Sequence, residues 1–187
     1  MKSPYSFIVK PYNNRRYDNI KNYGDVEFIT STSEEDHKAS NRFAIVVSTP
    51  IHYKGPIKEG DILLVHHNVF KYYNDMYGRE KSGKSFFKDD LFFIDFDQFF
   101  LYYNKEEWKS HSKYCFIKPI PPKKSFLGKT GKEEPLMGVV KYNNQELKNL
   151  GVKVGDEVSF TPESEYEFYV EDEKLYRMFT DNITMIM

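Results

Sequence analysis

Three groups of side chains in this chain have types and spacings that could support chemistry. Adjacent histidines at His66 and His67 could bind a metal ion, and the run Ser-Gly-Lys-Ser at 82–85 contains the Gly-Lys-Ser of a phosphate-binding loop. Cys115, the single cysteine, could belong to a disulfide or a zinc site. Each chemistry needs further residues at defined positions, so the surrounding sequence decides which of them is possible.

Metal and phosphate binding are both disfavoured by that context. If His66 and His67 lie in a regular strand, they point to opposite faces and cannot hold one ion together. The other histidines are scattered along the chain, and no cysteine pair supports them. The first glycine of a phosphate loop would fall at Gly78, but no strand followed by a helix surrounds it. We therefore predict neither site.

The sequence also predicts no catalysis and no cofactor. Cys115 alone forms neither an internal disulfide nor half of a zinc knuckle, and a reducing cytoplasm suits it. No Gly-x-Gly-x-x-Gly run marks a dinucleotide-binding domain. A Ser-His-Asp or Cys-His site cannot be argued from spacing, because its members assemble in space.

Charge and hydropathy predict no nucleic-acid partner and no membrane partner. The chain has 27 basic and 28 acidic residues, so it lacks a basic footprint. Aromatic runs at 92–93, 99–100 and 102–103 have no interleaved basic stripe, which favours a core or subunit interface over a base-stacking platform. No apolar stretch reaches the ~18 residues that span a bilayer, and the start lacks a signal-peptide core. We expect a cytoplasmic location.

The elements that carry these residues are predicted to be strands. Tyr and Phe stand among Val and Ile in short runs bounded by turn residues, a composition typical of strands. Alanine, the best helix former, occurs only at Ala39 and Ala44. The sequence therefore predicts an all-β fold with about five to six short strands in each half of the chain.

Three sequence blocks occur twice in the same order. An apolar pair followed by Lys-Pro ends at Pro11 and again at Pro119. The run at 57–63 returns at 152–158 around a shared Gly-Asp. Apolar residues at 91–99 correspond to those at 175–183, with Leu, Asp and the final apolar residue in the same relative places. Such a repeat indicates two copies of one small domain.

The repeat predicts the domain boundaries. We expect a first small β-barrel over 1–104, which carries a long loop at 12–42. A polar linker follows at 105–113, and a second small β-barrel occupies 114–187. The corresponding loop of the second half is shorter and runs from 121 to 135.

Each half resembles a subunit of the chaperonin-10 (GroES) family, so the fold is interpreted as two tandem GroES-like barrels. In the second half the resemblance rests on Val-Lys-Val-Gly-Asp-Glu-Val at 152–158, on 178–186 and on Gly-Val-Val at 138–140. In the first half, 60–64 and 97–101 carry the same two later blocks. The resemblance covers nearly the whole chain through short motifs. Many unrelated β-barrels also use a Gly-Asp turn.

The resemblance implies a mobile loop that docks on a chaperonin through an apolar tripeptide. By position, that loop is 12–42, and its anchors are Phe28 and Ile29. Glu27 stands where the family usually has an aliphatic residue, so Val26 is assigned a share of the anchor role. The alternative is that 26–29 is an extra strand with Phe28 in the core. Apolar anchors suit such a loop because they supply contact energy while ordering keeps binding reversible.

The second loop contains one apolar pair, Phe126 and Leu127. It would make a second contact with the chaperonin, or it would attach the loop to its own domain.

The resemblance implies a co-chaperonin that caps a GroEL-type chaperonin ring and assists ATP-dependent protein folding. Its partners would be that chaperonin and further copies of itself in a homo-oligomeric ring. Length and tandem architecture resemble co-chaperonins of tailed bacteriophages, which would place it in the host cytoplasm; plastid co-chaperonins are also tandem, but a transit peptide is not seen. An alternative from another class is a structural or assembly protein, for example of a virus particle, that uses the same scaffold without a chaperonin.

Overall fold

A computed structural model describes residues 1–17, 20–23, 26–29, 39–122 and 133–187 of the chain. They divide into two compact units, Met1–Glu107 and Trp108–Met187. Antiparallel strands make up nearly all of the regular structure in both units, which confirms the predicted all-β class.

The first unit is built from short strands and two small hairpins. Its strands are β1 (Phe7–Pro11), β2 (Ile20–Tyr23), β3 (Val26–Ile29), β4 (Phe43–Ser48), β5 (Ile62–Val65), β6 (Tyr72–Asn74), β7 (Glu80–Ser82), β8 (Phe86–Lys88), β9 (Leu91–Ile94) and β10 (Phe99–Tyr103). A 3₁₀ turn at Tyr12–Asn14 follows β1.

The second unit has fewer strands and one short helix. Its elements are β11 (Trp108–Ser110), β12 (Tyr114–Pro119), β13 (Met137–Tyr142), α1 (Gln145–Asn149), β14 (Glu157–Phe160), β15 (Tyr166–Val170), β16 (Glu173–Phe179), a 3₁₀ turn (Thr180–Asn182) and β17 (Ile183–Ile186). Part of the predicted linker at 105–113 is therefore strand β11.

The main sheets of the two units have the same strand order. In the first unit the order is β10-β5-β4-β1-β9-β8, and in the second it is β17-β14-β13-β12-β16-β15. The first unit adds two separate hairpins, β2 with β3 and β6 with β7. No pairing between described strands closes either sheet, so open sheets stand where the sequence predicted closed barrels.

The strand registers also correspond between the units. Both β4 and β13 contain a bulge, at Val47 opposite the step from Ile8 to Val9 and at Lys141 opposite the step from Phe116 to Ile117. A bulge adds one residue to a strand and shifts the pairing beyond it, so two bulges at matching places are a specific similarity. The matching pairs are Val9↔Val46 with Ile117↔Val140, and Pro11↔Ala44 with Pro119↔Gly138.

The Gly-Asp turn before β5 and β14 is built by the same hydrogen bonds in both units. In the first unit, the Asp61 carboxylate accepts the Lys58 amide at 2.7 Å, and Gly60 has a positive φ of 89°. A glycine takes that conformation without the strain a Cβ would cause. The second unit repeats this turn through Lys153, Gly155 (φ 95°) and Asp156, with an amide-to-carboxylate distance of 2.8 Å.

Each unit has its own apolar core. The sequence favoured a core or subunit interface over a stacking platform for the aromatic runs, and Phe92, Phe99 and Tyr102 lie in the first core. Phe100 is buried as well. The second core gathers smaller side chains around Cys115 and Ile117.

Gly138 marks the tightest backbone approach in the second core. A Cβ placed on it would lie 2.3 Å from Ile117 Cγ2 and 2.7 Å from the Lys118 carbonyl oxygen. Since real Cβ atoms do not approach so closely, any other residue there forces β12 and β13 apart.

Candidate functional site

The two histidines lie beyond the end of a strand. Strand β5 ends at Val65, so His66 and His67 stand in the turn after it, and their ring centroids are 4.1 Å apart. The alternation argument applied only to a regular strand, so it does not decide whether these two side chains could share an ion. Across the described residues no group of three His, Cys, Asp or Glu side chains could hold a metal ion.

The phosphate-loop motif lies at the end of a hairpin. Strand β7 ends at Ser82, and the Gly83 amide donates to the Lys71 carbonyl at 3.0 Å. No helix follows, because β8 begins at Phe86. The backbone amides that a phosphate loop directs at its ligand do not converge here.

Cys115 is a buried thiol with suppressed reactivity. Its side chain is fully buried, and this burial raises its pKa to about 12, although the nearby Arg177 cation acts in the opposite direction. Because the thiolate is the nucleophilic form, such a thiol is unreactive in the folded protein. The described residues thus offer no site for covalent chemistry at this cysteine.

The long connection between β1 and β4 contains the predicted docking loop. Its middle is the hairpin of β2 and β3, in which Ile20 pairs with Ile29 and Tyr23 pairs with Val26. The predicted anchors Val26, Phe28 and Ile29 lie in β3, a strand backbone as the extra-strand alternative expects. Their side chains lie outside what the structure describes, so their docking role stays a prediction.

The stem of this connection joins its two ends. Tyr17 and Ser40 form an isolated antiparallel bridge. Next to the bridge, the Asn41 amide donates to the Arg16 carbonyl at 2.9 Å. The two ends of the connection are thus hydrogen-bonded to each other.

The Asn41 side chain secures the same stem. Its Nδ2 donates to the carbonyls of Tyr12 at 2.9 Å and Arg15 at 2.7 Å, and its Oδ1 accepts the Phe43 amide at 2.9 Å. One amide side chain therefore satisfies backbone groups on both sides of the loop, which is the role Asn commonly plays at turns.

Arg16 ties the stem to the body of the first unit. Its Nε and Nη2 donate to Asp90 Oδ1 at 3.2 and 3.1 Å, and its Nη1 donates to Ser82 Oγ at 3.1 Å. The guanidinium also lies over the rings of Phe86 and Phe92, 4.9 and 5.0 Å from their centroids. With only 17% of the side chain exposed, the group is held by charge, hydrogen bonds and ring faces together.

The second loop has a simpler stem. The Glu134 amide donates to the Ile120 carbonyl at 2.9 Å, and the Glu133 carboxylate accepts hydrogen bonds from Lys174 Nζ (2.7 Å) and from the Tyr176 hydroxyl. The apolar pair predicted there, Phe126 and Leu127, falls outside the described residues.

Sequence reasoning did not identify the Arg16 contacts. Arg16 belongs to a polar run with no pattern of its own, and its partners Ser82 and Asp90 stand 66 and 74 positions away. Only the fold brings them together, so no local signal could have identified the contact.

No protein-family model matches the chain, and no curated protein matches it. Within the described part of the chain, no helix has the length and apolar character needed to cross a membrane.

Proposed function

We propose that the protein is a co-chaperonin that caps a GroEL-type chaperonin ring and assists ATP-dependent protein folding. Each unit is interpreted as a GroES-like domain, on the strength of the repeated sequence blocks and of the strand order that the two units share. The docking element is the β2–β3 hairpin of the first unit, with Val26, Phe28 and Ile29 as anchors.

The observation that carries this proposal is the difference between the two copies. The two main sheets share their registers, but the β1–β4 connection of the first unit is longer than the β12–β13 connection of the second and contains the β2–β3 hairpin. Loops held on a rigid scaffold commonly carry function, so this connection is the candidate docking element.

The energetics suit a reversible cap. Three apolar anchors supply about 1.5 to 3 kcal/mol each when fully buried, and ordering the rest of the loop opposes this gain. A complex of this kind releases its partner readily, which a folding cycle requires.

A cap also needs several copies of the chain, and we propose a homo-oligomeric ring in the host cytoplasm. Strand β17 ends its sheet order, and its Met185 and Ile186 side chains are 61% and 50% exposed. An apolar edge strand is a ready site for pairing with another chain. Two-domain chains match an odd-numbered ring one-for-one only if a single domain of each faces it.

The test mixes the purified chain with a bacterial chaperonin and ATP and measures co-elution by size exclusion. The wild type is expected to co-elute, and a Phe28→Asp, Ile29→Asp double variant is expected not to. The matched control is Phe126→Asp, Leu127→Asp, which places the same charges in the second loop. Loss of binding in the control as well would make the second loop a docking element too.

The same exposed edge of β17 supports the second candidate, a structural or assembly protein such as a virus-particle component. This second function requires that the protein assembles with itself in the absence of a chaperonin. If the wild type forms rings or particles and does not bind the chaperonin, the assembly function replaces the co-chaperonin function.

A further inference from the structure

We infer that Arg16 is a positioning residue, which fixes the stem of the β1–β4 connection so that the hairpin is presented in one orientation. That the hairpin docks on a partner rests on the proposed function. The contacts of Arg16 with the stem and with the rest of the first unit, which we call the clamp, are a property of the free protein. The backbone of Arg16 belongs to the stem, and its side chain contacts Asp90 and Phe86 in the rest of the first unit.

The backbone of Arg16 binds the segment at the end of the connection. The carbonyl of Arg16 accepts the Asn41 amide, next to the bridge between Tyr17 and Ser40. Ser40 in turn donates its hydroxyl to the His67 carbonyl at 2.8 Å. Movement of Arg16 therefore disturbs both ends of the connection together.

The side-chain contacts of Arg16 restrict the orientation of the stem. A guanidinium is planar, so stacking against Phe86 and Phe92 restricts its tilt, while the two bonds to Asp90 and the one to Ser82 restrict its rotation in the plane. A lysine would keep the charge but lose the planar fork and most of this restriction.

A fixed stem lowers the ordering cost of docking. A loop attached through two loose ends samples many orientations, and binding has to select one of them. Restricting the stem before binding removes part of that cost without adding a contact to the partner. The clamp should therefore change affinity while leaving the anchors untouched.

The turn between β8 and β9 offers a matched pair of variants. Asp89 and Asp90 both have positive φ values, 48° and 56°. Asparagine tolerates this conformation as well as aspartate does. Asp90→Asn removes the charge that faces Arg16, and Asp89→Asn makes the same change of charge at the neighbouring position.

The primary measurement is amide hydrogen exchange in the free full-length protein. The Asn41 amide, bonded to the Arg16 carbonyl, is expected to exchange about 5-fold faster in Asp90→Asn, since the negative charge that strengthens the Arg16 hydrogen bonds is removed. In Asp89→Asn it should stay near the wild-type rate. The core amide of Val46 should exchange equally in all three proteins.

The dependence of exchange on salt concentration gives a second test of the same contact. The Asp90 side chain is 61% exposed, so high ionic strength screens its attraction for Arg16. The difference between the two variants is expected to shrink in ~1 M salt. A purely steric role of Asp90 would leave that difference unchanged.

The binding measurement separates the two proposals. Asp90→Asn is expected to weaken chaperonin binding about 3- to 5-fold, and Asp89→Asn to leave it unchanged. If the wild type does not bind a chaperonin, the proposed function fails, and the exchange data still test the clamp. Equal Asn41 exchange in Asp90→Asn and Asp89→Asn would overturn the clamp whatever the binding result.

Discussion

Substituting Gly138 by alanine should destabilise the second unit by a predictable amount. The new Cβ would lie 2.3 Å from Ile117 Cγ2 and 2.7 Å from the Lys118 carbonyl oxygen, and neither neighbour lies at the end of a flexible side chain. Overpacking of this kind costs about 1 to 3 kcal/mol. Alanine also restricts the unfolded chain, which returns about 0.4 to 1 kcal/mol. The two ranges give a net loss of up to about 2.6 kcal/mol, with a central value of about 1.3 kcal/mol.

The chain contains a natural reporter for this experiment. Trp108 is its single tryptophan, lies in the second unit, and donates its indole N–H to Glu171 at 3.2 Å. Tryptophan emission during thermal unfolding should show a midpoint about 5 to 15 °C lower in Gly138→Ala than in the wild type. An unchanged or raised midpoint would refute the proposed close approach.

A double-mutant cycle identifies the cause. Ile117→Ala removes the buried Cγ2 methyl and costs about 2 to 5 kcal/mol by itself. In the Gly138→Ala, Ile117→Ala protein one of the two clashes is absent, so the total loss should fall about 1 kcal/mol short of the sum. Strict additivity would mean that Ile117 does not limit the space at residue 138.

Three further predictions concern the second unit. Cys115 should react with a thiol reagent at pH 8 about 1000-fold more slowly than an exposed cysteine, because burial raises its pKa to about 12; unfolding in denaturant should restore normal labelling. Glu173→Gln should lower the free energy of unfolding by about 0.5 to 1 kcal/mol at pH 7, because hydrogen bonds from Lys118 and Lys141 lower the pKa of Glu173; this difference, present above the ordinary pKa of 4.5, should vanish in urea titrations as the pH falls through the lowered folded value. Asn144→Ala should cost about 2 to 3 kcal/mol in urea unfolding, since it removes the cap of α1 and leaves buried groups unsatisfied, whereas equal stability would contradict that role.

Much of the sheet could be predicted because its signals are local. The apolar run at 43–47 lies within strand β4, and the apolar run after Gly60 forms strand β5. The repeated blocks likewise fall on elements that share one strand order, and the Gly-Asp block contains both a turn and the start of the strand after it. Local sequence determines such turns through Gly and Asp.

Features that depend on distant partners could not be predicted. Helix α1 was not among the predicted elements, which were all strands; its cap Asn144 is fixed by bonds to Tyr114 and Thr180, 30 and 36 positions away. Barrel closure was wrong for a related reason: whether two edge strands meet depends on sheet twist and curvature, which short motifs do not encode. In the candidate site, the strand form of 26–29 stood among the predicted alternatives, but the contact of Arg16 with Asp90 did not.

The matching registers of β1 and β12, with matching bulges in their partners β4 and β13, create an ambiguity for the folding chain. Because β4 and β13 offer each of them an equivalent ladder of donors and acceptors, backbone hydrogen bonding alone does not tell the correct partner from its counterpart in the other copy. Side chains must then distinguish the correct partner strand from its counterpart, for example Ala44 in one copy where the other has Gly138. Ribosomal synthesis removes part of the problem, since the first copy can fold before the second emerges. Refolding of the whole chain from denaturant lacks this order and should trap a cross-paired fraction.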